Sequence, residues 1–146
     1  MCYVLLLSTS SAAELSAEST PLVRFEKPAD DETLAQSLHH SYKWYVGSST
    51  GCSCTFRHVM SREMGFGKPE DWWPEKAEEI AATGAFIAVV RNLLGAGHQV
   101  DCLNFWNGAG AGEITKLDVD LSIIADNEFR FFENYHFCFV NSPGTR

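Results

Sequence analysis

Two thiols one residue apart, Cys52 and Cys54, are followed by a cation, Arg57, and an imidazole, His58, in the stretch GCSCTFRH. A thiolate is the form that attacks electrophiles and binds metals, and nearby positive charge lowers the pKa of its thiol. Arg57 and His58 stand close enough in sequence to act this way across a tight turn. Two chemistries are therefore expected of Cys52-x-Cys54. A disulfide across one residue would close a small, strained and easily reduced ring, suited to redox regulation. Zinc would instead need four N or S ligands. Cys52 and Cys54 would supply two, and His98-x3-Cys102 or His136-x-Cys138 the others, since each of those pairs shares a strand face by parity. The spacing is tighter than in common zinc sites, and no C-x2-C occurs. In competition with this, Cys102 and Cys138 lie among Leu103, Phe105, Phe137 and Phe139, where a free cysteine serves as a small core hydrophobe.

Other motif matches lack their structural context. Gly47-Ser48-Ser49-Thr50-Gly51 fits G-x-S-x-G, and Ser49, then Asp101 or Asp118, then His136 would keep the chain order of a serine hydrolase. That elbow needs a helix behind it, and Cys52-Ser53-Cys54-Thr55 is a poor helix start. From Cys52 to Arg57 there are four intervening residues, one short of the tyrosine-phosphatase signature. Gly108 to Gly112 is followed by Glu113-Ile114-Thr115-Lys116-Leu117, which alternates like a strand, so no helix N-terminus is expected to hold a pyrophosphate. His39-His40 is read as the end of a short helix, where imidazolium interacts well with the negative dipole end. Trp72-Trp73 is either a packed cover over a helix start or an exposed partner-binding platform.

Composition narrows the classes further. The 146 residues are 45% hydrophobic and 21% charged, with a net charge of −8, as expected of one globular domain over residues 1–146. The acidic field disfavours nucleic acid and favours a basic protein partner. Five cysteines cannot form a closed disulfide framework and suit a reducing compartment. The apolar start, MCYVLLL, lacks the flanks of a signal peptide, and no run reaches the length of a membrane span, so a cytoplasmic protein is expected. No coherent catalytic set emerges. The expectation is a non-enzymatic protein-binding domain, with the profile of a toxin-neutralising immunity protein, needing no cofactor other than zinc at the thiol site.

The elements that must position these residues can be read from periodicity. Cys2 to Leu7 is apolar on both parities and predicts a central strand covered on both faces. Residues 8–20, small and polar, predict a flexible loop. Pro21 to Phe25 predicts a strand, residues 30–40 a short helix, and Trp44 to Val46 another strand. Residues 74–95 carry the clearest helical pattern, opened by Pro74 and closed at Gly95-Ala96-Gly97. His98 to Trp106 predicts a strand reached by a helical crossover, running parallel to an earlier one. Thr115 to Ile123 alternates as a half-wet strand, and Phe129 to Val140 as an aromatic strand or a hairpin turning at Glu133-Asn134. The expected fold is α+β: a mixed or antiparallel sheet with the long helix and the short one packed on it.

Overall fold

The computed structural model describes residues 2–28, 33–49, 51–59, 62–70, 72–107 and 113–140. Eight strands and one α-helix are found there: β1 Cys2–Thr9, β2 Val23–Glu26, β3 Tyr42–Ser48, β4 His58–Val59, α1 Ala77–Gly95, β5 Val100–Asn107, β6 Thr115–Asp120, β7 Phe131–Phe132 and β8 Tyr135–Val140. Six strands form one sheet in the order β2-β3-β1-β5-β8-β6, while β4 and β7 pair separately. All neighbours in the large sheet are antiparallel except β6 and β8. The α+β fold with a mixed sheet and one long helix is thus as expected.

The central place of β1 follows from its sequence. Leu5, Leu6 and Leu7 are fully buried although they alternate in direction, so both faces of the strand are covered. On one face Leu5 and Leu7 join Trp44, Val46, Phe137 and the α1 residues Phe86, Ile87 and Val90 in the main core. On the other, Leu6 packs with Leu103, Phe105, Ala35 and Leu38 in a smaller cluster. Ala35 and Leu38 come from the short helix expected over 30–40, which among the described residues is a 3-10 turn, Thr33–Ser37. Its acidic opening, Asp30 to Glu32, lies outside the described residues, as does the glycine run Gly108 to Gly112.

Several boundaries differ from the sequence reading, each for a local reason. Ser8 and Thr9 of the expected loop finish β1, and Leu15 is buried beneath a 3-10 turn, Leu15–Glu18. The helix starts at Ala77, three positions after Pro74, because the Glu75 side chain turns inward to an arginine and Lys76 stays extended. Glu79 then accepts the Lys76 amide at 3.0 Å, closing the first turn. At the other end Gly97 adopts φ +89, and the His98 amide donates to Leu93, which satisfies carbonyls of the last turn. The crossover strand β5 runs in the direction of β3 but does not pair with it. β1 lies between them, antiparallel to both. The strand expected to run to Ile123 stops at Asp120, whose carboxylate accepts the Ser122 amide at 2.9 Å and turns the chain. Asn134, at φ 59, makes the turn between β7 and β8, but β7 pairs in parallel with β4 and not with β8.

One buried ionic group ties this frame together. Arg57 Nε and Nη2 donate to the two carboxylate oxygens of Glu75 at 2.7 and 2.8 Å. Its other donors reach the carbonyls of Asn127 at 2.5 Å, Phe129 at 3.2 Å and Gly67 at 2.9 Å. Arg130 adds a longer contact to Glu75, 3.5 Å, and donates to the carbonyls of Met64, Gly65 and Lys68. Burial alone would raise the Glu75 carboxyl, but the Arg57 and Arg130 guanidiniums outweigh it and hold the pKa below the usual value. Removing the carboxylate leaves two buried guanidiniums uncompensated. We expect Glu75→Ala to lose about 3–5 kcal/mol of unfolding free energy in urea titration; a loss under 1 kcal/mol would show that the cluster is not a stabilising element.

Candidate functional site

The GCSCTFRH stretch folds as a series of turns between β3 and β4, pinned by the residue between the thiols. Ser53 is fully buried. Its hydroxyl accepts the Leu5 amide at 3.0 Å and donates to the Val46 carbonyl at 2.6 Å, bridging β1 and β3 where Leu5 and Val46 stand opposite each other. Upstream, the Ser48 amide and hydroxyl both donate to the Cys52 carbonyl at 2.7 Å. Gly47 is required by this turn, because a Cβ there would stand 2.7 Å from the Gly51 carbonyl oxygen. Cys52 and Cys54 are half-buried on either side of this anchor.

Arg57 stands in the frame. It is 1% exposed and all five of its N–H donors are engaged by Glu75 and backbone carbonyls. His58 stacks on Tyr3 with ring centroids 4.0 Å apart and donates from Nε2 to the Ser53 carbonyl at 2.5 Å. Burial pushes its pKa down to about 4, against the upward pull of that carbonyl. The imidazole is therefore neutral at pH 7 and brings no positive charge to the thiols. Tyr3 in turn donates to Glu133 at 3.0 Å, and burial followed by that carboxylate pushes its phenol well above the usual value.

These groups surround a cavity of about 280 Å³, lined by Tyr3, Cys54, Phe56 and His58 together with Trp73, Glu75 and Glu79. Trp72 is 67% exposed and Trp73 40%, with their rings 6.4 Å apart, so neither is a packed cover over the helix start. Ser49, the hydrolase candidate, donates its hydroxyl to Glu78 in the first turn of α1. The chain after Gly51 forms turns and not the helix that a nucleophile elbow requires.

A second constellation lies on the sheet face away from α1. Registers place Ser8 of β1 opposite Asp101 of β5, and Asp101 opposite Cys138 of β8. Asp101 is 1% exposed and accepts from three groups: the Ser8 hydroxyl, the His39 amide at 2.9 Å and His136 Nε2 at 2.6 Å. Burial would raise its carboxyl, but the donors from His136, Ser8 and His39 outweigh that and hold it below the usual range. The His39 ring stands 4.7 Å from that of His136, and its Nδ1 lies 4.0 Å from Cys138 Sγ. His39, His136 and Cys138 each place a ligand atom within 4.8 Å of the others, the one such group among the described residues. Burial, then the charge of Asp101, raises the Cys138 thiol pKa.

Of the residues considered as metal ligands, the fold thus brings together His136 and Cys138, and it adds His39. Cys52 and Cys54 are not in this group. Cys102 faces the main core between Leu7 and Phe137, fully buried, and burial pushes its thiol well above the usual value. His98 lies outside β5, against a separate cavity of about 240 Å³ shared with Leu15 and Leu93. The signal that could have found this group was Asp101, the one carboxylate in a largely apolar strand, where burial demands partners. Asp101 and His136 do pair, as a hydrolase reading required, but the hydroxyl beside them is Ser8, bonded to the carboxylate and not to the imidazole.

No protein-family model, no curated protein and no solved structure matches the chain.

Both sites carry pH signatures. His58 is neutral when folded and titrates near 6.5 when unfolded, so its contribution is whole above pH 6.5 and fades as pH falls from 6.5 to about 4. His58→Gln keeps a donor for Ser53 but cannot titrate. The parent should lose on the order of 2–3 kcal/mol more than the variant across that window; parallel stability–pH curves would remove His58 as the cause. Asp101 has the opposite character, with a depressed folded pKa. Its stabilisation is present above the unfolded pKa near 4 and is lost as pH falls through the folded one. Asp101→Asn should cost about 3 kcal/mol at pH 7 and flatten the acid limb, and an unchanged acid limb would show that the carboxylate is not held ionised.

Proposed function

We propose that the protein is a non-enzymatic binding domain that docks a basic protein segment on the Trp72–Trp73 face. The observation that carries this reading is the exposure of Trp72 and Trp73, 67% and 40%, with Trp73 lining the cavity that also contains Phe56, Glu75 and Glu79. Exposed tryptophans are costly to leave in water and are the residue type most enriched at interface hot spots. Beside them the exposed Glu70 accepts the Trp72 indole N–H at 3.2 Å, Glu79 lines the cavity with Trp73, and the whole chain carries a net charge of −8. Lys or Arg side chains of a partner would find both carboxylates and indole faces there, a pairing that favours cations over neutral groups.

Several features argue against catalysis at this cavity. Arg57 is fully engaged, His58 is neutral and bonded to a carbonyl, and Glu75 is paired with two arginines. A toxin-neutralising immunity protein would have this acidic, aromatic character, in a reducing cytoplasm that suits a chain with five cysteines. Thiol redox chemistry is the second reading, favoured by Cys54 lining the cavity.

The test is capture at low salt of partners that the parent binds and a Trp72→Ala, Trp73→Ala double variant does not. We expect a partner of high isoelectric point, released by salt, with affinity reduced at least tenfold in the variant, in keeping with loss of a hot spot. Capture that is equal in the variant, or none at low salt, would overturn the reading.

A further inference from the structure

We propose that His39, His136 and Cys138 form a zinc-binding site on the sheet face opposite α1, with Asp101 as the carboxylate that orients it. The three ligand atoms already lie within 4.8 Å of one another. In a tetrahedral zinc site, bond lengths of about 2.3 Å to sulfur and 2.05 Å to nitrogen put neighbouring S and N ligands roughly 3.6 Å apart. The observed Cys138 Sγ to His39 Nδ1 separation of 4.0 Å needs only a small closure. Mixed imidazole and thiolate donors select zinc over the hard cations magnesium and calcium, which take oxygen ligands.

Asp101 supplies the second requirement. A carboxylate can only accept, so His136 Nε2, 2.6 Å away, carries the hydrogen of that bond. In the tautomer that this bond selects, the lone pair sits on Nδ1, the nitrogen left for a metal. This carboxylate–histidine arrangement fixes ring orientation and tautomer in many zinc sites. Asp101 is itself held by Ser8 and the His39 amide, so the residue that orients one ligand also positions the backbone of another.

Access and charge are consistent with an exchangeable ion. His39 is 41% exposed and Cys138 half-buried, which opens the site to solvent, whereas His136 is buried. With three protein ligands, the fourth position is left to water. β6 places Lys116 opposite His136 and Asp118 opposite Cys138, so the flanking strand adds one charge of each sign. The thiol of Cys138 is unactivated in the free protein, being raised by burial and by Asp101 and Asp118. Zinc would deprotonate it on binding and release that proton to solvent. Because the ligands come from β8 and from the chain just after the 3-10 turn, the ion would also clamp that turn onto the sheet.

The test is titration of the full-length protein with Co²⁺, followed by displacement with Zn²⁺, and native mass spectrometry for stoichiometry. We expect one Co²⁺ per chain with a thiolate-to-cobalt charge-transfer band, and loss of that band in Cys138→Ser. Asp101→Asn should weaken binding 10–100-fold, and His39→Ala, an exposed position that leaves the core intact, should weaken it by at least as much. The double variant Cys52→Ser, Cys54→Ser should bind as the parent does. The proposal falls if no charge-transfer band forms, if the band survives Cys138→Ser, if His39→Ala binds with unchanged affinity, or if the band follows Cys52 and Cys54 instead.

Discussion

The bidentate pair between Arg57 and Glu75, buried with Arg130 beside it, is the constraint on which the irregular half of the molecule depends. Between β3 and α1 the described chain contains only the two residues of β4 and a 3-10 turn, Arg62–Met64, as regular structure. Such a segment exposes carbonyls that no ladder satisfies, and a buried carbonyl without a donor costs about as much as a lost hydrogen bond. Arg57 and Arg130 supply those donors to Met64, Gly65, Gly67 and Lys68, and Arg57 also reaches the carbonyls of Asn127 and Phe129 ahead of β7. Arg91 repeats the device at the far end of the helix, donating to the carbonyls of Leu121 and Ile124 while pairing with Asp126 at 2.8 Å. Guanidinium suits this task because its planar fork offers five donors and stays charged at any physiological pH.

The cluster also determines what the adjacent cavity can do. Glu75 must serve the arginines, so the helix begins late and Trp72 and Trp73 are carried outward on an extended lead. Ser53 must bridge β1 and β3, so the thiols on either side are fixed by the strand geometry. What remains accessible beside the carboxylates is aromatic surface, which is the basis for reading this face as a docking surface.

The two faces of the sheet are unequal, and the difference arises from length. The nineteen residues of α1 cover one face with a continuous apolar core, including Phe129, Phe131 and Phe137. The five-residue 3-10 turn covers only part of the other, over Leu6, Leu103 and Phe105. Beyond its edge the strands carry polar groups, and Ser8, Asp101, His136 and Cys138 meet there with His39 from the end of the turn. A buried carboxylate is tolerated at that edge because three donors converge on it.

Sequence alone determined the elements whose signals are local. The triple leucine of β1, the 3.6-residue period of α1, the glycine that ends it and the turn at Asn134 all express short-range sterics and burial of one stripe or two faces. The pairing of His136 with Cys138 on one strand face was likewise legible from parity. Tertiary structure decided the rest. It turned Arg57 from a neighbour of the thiols into the partner of Glu75, 18 residues on, and it made Ser53, between the thiols, the residue whose hydroxyl bridges β1 and β3. It also brought His39 to Cys138 across 99 residues and excluded Cys102 from the same group by directing it to the opposite face. The reason is that hydrogen-bond and ion-pair partners are chosen by strand order and by the need to satisfy each buried polar group. Neither is encoded in the spacing of the residues that end up in contact.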